Sequence, residues 1–264
     1  MVMPPAPPAP PRRDLGFEPP EVARPVEVPW YWWHAILVYL LGFLALGTII
    51  AILVLIPFGG DATEGTGLGL PLLVASAAAD AAFAAVMILW LRSRTRRWQA
   101  VVRLPEGLTR LRELAVGLGL GLILYPAVAI GIGTILVVVF RAITGETVTA
   151  PDQLSPGLST GARVLAGIFA IAIAPVVEEL FFRGILFRSL RRHGLWPAAI
   201  VSSSLFGVIH YVGGPAANAL FLMIATASTG LGLALIYEWR GLATSIGAHM
   251  TFNAIGVALI FTLA

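Results

Sequence analysis

Long, nearly uncharged apolar runs constrain this chain more than any other feature in it. They lie near 30–56, 70–91, 114–140, 163–190, 197–212, 216–237 and 242–263. Most reach the roughly 20 helical residues needed to cross a hydrocarbon core, and only the fifth is short for it. Runs of this kind have no polar face to turn toward water. In lipid, every backbone N–H and C=O must find its partner within the protein, and a helix does this inside one segment. The expectation is therefore an all-α, polytopic transmembrane helix bundle of about seven spans, within limits of six and eight. Composition agrees: 58% of the residues are hydrophobic and 12% charged, against about 25% charged in soluble domains.

Residues 1–29 read differently. The segment MVMPPAPPAPPRR and the later Pro19, Pro20, Pro25 and Pro29 favour extended or disordered chain and contain no signal-peptide run. They are expected to be a Pro-rich, disordered cytosolic tail, leaving 30–264 as the transmembrane domain with its catalytic core in 163–263. The cluster Trp30, Tyr31, Trp32, Trp33 resembles an aromatic belt at the headgroup level, with His34 inside it.

All 17 basic residues are Arg, and they crowd into the same alternate loops. Arg12, Arg13 and Arg24 precede the first span, Arg92 to Arg112 separate the second from the third, Arg188, Arg191 and Arg192 follow the fourth, and Arg240 follows the sixth. Only Arg141 and Arg163 fall on the other side, and Arg183 is left within a span. This is the positive-inside pattern, not a nucleic-acid surface, and it places the N-terminus in the cytosol and the C-terminus on the far side. The expected location is a bacterial plasma membrane, with membrane lipid as a partner and no nucleic acid. The absence of cysteine removes thiol nucleophiles, disulfides and cysteine metal sites.

Two local features bear on helix shape. Pro126, among several glycines in the third span, predicts a kink or a break. Gly117, Gly119 and Gly121 superficially suggest a phosphate loop, but within an apolar span they read as small residues for close helix packing.

An ionisable group inside a bilayer costs about 2.5–3.5 kcal/mol on insertion scales, so each one is a functional candidate. Here they are Asp80, Glu178, Glu179, Arg183, His210 and His249. Glu178 would sit about 18 Å from the helix end near residue 190. His210, on the returning helix, reaches a similar depth, and His249 and Asn253 share one face of the last helix at i, i+4. Glu179 and Arg183 are also i, i+4 in the favourable acid-first order, so Glu179 is expected to pair with Arg183 and leave Glu178 free. A desolvated Glu beside imidazole is a general base, and His249 and Asn253 could donate to an oxyanion. The site is expected to open toward the cytosolic, arginine-rich side. Asp80 has no motif around it and reads as a helix contact or an accessory group.

These residues also fall into three spaced motifs. Glu178-Glu179-Leu-Phe-Phe-Arg183 is similar to EExxxR, Phe206-Gly-Val-Ile-His210 to FxxxH, and His249-Met-Thr-Phe-Asn253 to HxxxN. In this the chain resembles the CAAX protease and bacteriocin-processing family of intramembrane endopeptidases. The resemblance implies that Glu178 activates water with His210, that His249 and Asn253 stabilise the oxyanion, and that Glu179, Arg183 and Phe206 support the site. It implies hydrolysis of a membrane-associated or lipidated peptide or protein. The family has been described both as metal-dependent and as glutamate peptidases. If a metal is bound, Glu178, His210 and His249 are the ligands and Zn(2+) the ion their donor types suit; no cofactor is otherwise expected. The alternative from a different class is a non-enzymatic immunity factor, scaffold or transporter using the same polar cluster.

Overall fold

The computed structural model describes residues 27–58, 70–145, 147–148, 159–211 and 215–263. Each expected span is a helix: α1 Trp32–Leu55, α2 Leu70–Arg94, α3 Gly107–Thr144, α4 Thr160–His193, α5 Leu195–Ile209, α6 Ala216–Arg240 and α7 Leu242–Leu263. All but α5 are long and apolar enough to cross a membrane. No strand occurs among the described residues. The protein is an all-α polytopic bundle and an integral membrane protein.

Residues 1–26 of the proline-rich tail lie outside the described residues, but Val28 near its end and Trp30 just beyond it are packed rather than free. Val28 and Trp30 are buried in the core. The Trp30 indole N–H donates to the Ile185 carbonyl at 3.1 Å, and Arg192 donates to the Trp30 carbonyl at 2.6 Å. Trp30 is therefore a clamp between the start of α1 and the end of α4, while Trp32 and Trp33 keep the exposure expected of belt residues.

Pro126 neither breaks α3 nor ends it. The helix continues through a π-helical stretch at Pro126–Ile132, a local widening that absorbs the missing proline N–H.

The closest packing in the bundle is between α3 and α7, where backbones meet without side chains between them. A Cβ on Gly117 would overlap the Thr244 carbonyl, and one on Gly247 would overlap the Leu114 carbonyl. Gly121 faces Thr251 and the Ala248 carbonyl in the same way, whereas Gly119 faces open space. Gly117→Ala should therefore destabilise the bundle by about 1–3 kcal/mol. Gly119→Ala should be neutral or slightly stabilising, since Ala is the better helix former. Thermal melts of the two variants in detergent check this contrast.

Candidate active site

α4 carries the paired glutamates and is not a uniform helix. The Ser159 side chain caps its start by accepting from the Ala162 N–H. π-helical stretches at Phe169–Ile173 and Leu180–Phe187 then flank a short α-helical segment, Ala174–Glu179. Such stretches re-aim side chains and recur at functional sites. α4 stops at Gly194, whose φ of +112° suits glycine.

The segment from Glu179 through Ser189 is entirely buried. At its head, Arg183 Nη1 donates to Glu179 Oε1 at 2.8 Å, and Arg183 Nη2 donates to the Gly230 carbonyl of α6 at 2.8 Å. The guanidinium also stacks over the Phe206 ring of α5, 4.8 Å from its centroid. Two groups of α7 complete the shell of Glu179. His249 Nδ1 lies 3.0 Å from Oε1, and the Ser245 hydroxyl donates to Oε2. A carboxylate acceptor requires the proton of His249 to sit on Nδ1, which leaves Nε2 to face elsewhere.

Nε2 faces Glu178. The separation of 3.7 Å from Glu178 Oε2 is too long for a direct hydrogen bond, but both atoms can reach one water at about 2.8 Å each. The Glu178 side chain is 25% exposed, whereas Glu179 is fully buried. Adjacent helical residues point about 100° apart, and here one carboxylate meets the arginine while the other meets the imidazole edge.

His210 ends α5. Its Nδ1 is 2.7 Å from the Phe206 carbonyl, so Nδ1 donates and Nε2 is an open acceptor. The Phe206 ring centroid lies 4.6 Å from that of His210 and 5.7 Å from that of His249. Asn253 donates through Nδ2 to the Ala170 carbonyl at 2.8 Å. Phe206 of α5 thus stands against His210 on its own helix, Arg183 of α4 and His249 of α7. It is His249, not His210, that stands against Glu178, and no hydrogen bond or ion pair joins His210 to Glu178 among the described residues.

The start of α7 is fixed independently. Arg240 makes two 2.8 Å bonds to the Glu113 carboxylate, Thr244 donates to the same group at 2.9 Å, and the Leu242 N–H donates to the Arg103 carbonyl at 3.0 Å. These contacts hold the face bearing Ser245, His249 and Asn253 in register with α3.

Ser245 was not singled out by motif, although it lies one turn before His249 on the same face. Asp80 and Tyr39 also belong to the neighbourhood: Asp80 lies within electrostatic reach of Glu178, and Tyr39 of both. Phe83 and Phe181, each three residues after one of these acids, stand 5.5 Å apart. The half-buried members of the site are Glu178, His210 and Asn253, and α4 is buried between them and its arginine-rich end.

No three of His, Cys, Asp and Glu among the described residues stand in an arrangement able to hold a metal ion. Glu178 and His249 approach to 3.7 Å, but His210 does not join them within the reach of one ion. The zinc trio does not fit as placed, and no step below runs through a metal.

Residues 160–255 match the model of the family described as type II CAAX prenyl endopeptidase Rce1-like. The matched stretch contains all three motifs. No curated protein and no solved structure matches the chain significantly. Over residues 160–255, therefore, the chain is similar to the type II CAAX prenyl endopeptidase Rce1-like family, in agreement with the resemblance carried by its three motifs.

Proposed function

We propose that the protein hydrolyses a peptide bond in a membrane-associated or lipidated protein, with Glu178 as the base that activates water. One observation carries this reading: a partly open intramembrane carboxylate, bonded to no arginine among the described residues, faces an imidazole nitrogen whose ring is oriented by a second, arginine-paired carboxylate. A purely structural cluster has no need to leave Glu178 outside the Glu179–Arg183 pair.

The steps follow from the atoms. Glu178 Oε2 takes a proton from water, and the water oxygen bonds to the peptide carbonyl carbon. His210 Nε2 accepts from the same water, its Nδ1–H being engaged by Phe206. The proton then passes from Glu178 to His249 Nε2. That N–H and the second amide N–H of Asn253 donate to the oxyanion. As the C–N bond breaks, His249 returns the proton to the leaving nitrogen and Glu178 is again ionised.

Purified protein in lipid vesicles, given internally quenched peptides with a C-terminal CAAX sequence in prenylated and unprenylated forms, tests the proposal. Wild type should cut at least the prenylated peptide and Glu178→Gln should not; equal turnover by both would refute the assignment. The arginine distribution further supports a cytosolic N-terminus. Because the chain lacks cysteine, Arg96→Cys gives a single thiol, which a membrane-impermeant reagent should label only from the cytosolic side.

A further inference from the structure

The bond between Asn253 and the Ala170 carbonyl has a cause in the chain of α4 itself. In the π-helical stretch Phe169–Ile173, each carbonyl looks five residues ahead for its donor, and the Ala174 N–H does reach the Phe169 carbonyl. The next donor in that register is residue 175, which is Pro175 and has no N–H. The Ala170 carbonyl is thus left without an internal donor at membrane depth, where no bulk water can replace it. Asn253 Nδ2 fills the vacancy from α7 at 2.8 Å. Pro175 is three residues before Glu178, so this single hydrogen bond ties the segment aiming the base to the helix that carries His249.

We infer that Asn253 is a positioning residue for Glu178, acting through the carbonyl that Pro175 leaves unpaired. This role rests on the peptidase reading and is additional to any donation by its second amide N–H to the oxyanion. It requires a carboxamide: an Asp of the same size presents only acceptors when ionised and would oppose the carbonyl.

A double-mutant cycle between positions 253 and 175 tests it. Pro175→Ala restores the backbone N–H, so the Ala170 carbonyl regains an internal donor. In the wild-type background, Asn253→Ala should lower kcat by about 10–100-fold with little change in KM. In the Pro175→Ala background the same change should cost about tenfold less in kcat, the remainder being the lost oxyanion donation, and its effect on melting temperature should shrink in parallel. If Asn253→Ala does not fold, Asn253→Asp removes the same donor at constant volume and reads the same coupling. An equal loss of kcat and of melting temperature in both backgrounds would overturn the inference and leave Asn253 as an oxyanion donor alone. The melting cycle needs no substrate, so it stands or falls separately from the peptidase reading, whose own failure would appear as full activity in Glu178→Gln.

Discussion

Glu178→Gln is expected to lower peptide cleavage by about 10²–10⁴-fold, the usual range for losing a positioned general base, while leaving the detergent melting temperature at the wild-type value. Glutamine keeps the volume and polarity of the side chain. The contact it alters is the 3.7 Å approach to His249 Nε2, so little folding energy depends on it. Rate and melt measured on the same preparation check both halves. A comparable fall in melting temperature would mean that Glu178 is a structural polar group instead.

The neighbouring change should behave in the opposite way. Glu179→Gln removes the charge partner of Arg183 and weakens the acceptor for His249 Nδ1 and Ser245. Breaking a buried ion pair from one side costs about 3–5 kcal/mol, because the remaining charge has no water to turn to. Arg183→Gln should cost a similar amount, since it also releases the Gly230 carbonyl of α6. Both variants should show a lower melting temperature and poorer recovery from membranes, with activity falling as a consequence. A Glu179→Gln protein that melts like wild type would show that the pair is not the structural centre of the bundle.

Much of this architecture was legible in the residues. The apolar runs located the helices because lipid leaves a spanning segment few other ways to satisfy its backbone. The i, i+4 spacing of Glu179 and Arg183 correctly indicated their ion pair, because both partners lie on one helix. Gly117 and Gly121 meet α7 as expected of small residues, but Gly119 points elsewhere, since an i, i+2 pair cannot share a helix face.

Relations between helices were harder to read. Depth arguments put His210 and His249 at the level of Glu178 but could not choose between them, because that choice depends on how α4, α5 and α7 rotate about their axes. Ser245 carries no motif, and only its one-turn spacing from His249 marks it. Pro126 suggested a kink or a break and Pro175 no particular geometry. In the fold, α3 absorbs the first in a π-helical stretch, and Asn253 compensates the second across two helices. A distant side chain replacing a backbone donor has no local signature.

The most direct test of the catalytic assignment is a comparison of protein termini in membranes from cells carrying wild type, Glu178→Gln or no copy of the gene. A membrane protein shortened in the wild type should be found intact both in the Glu178→Gln cells and in the cells lacking the gene. Identical cleavage products in wild-type and Glu178→Gln membranes, with the variant folded and present at the wild-type level, would contradict Glu178 as the catalytic base.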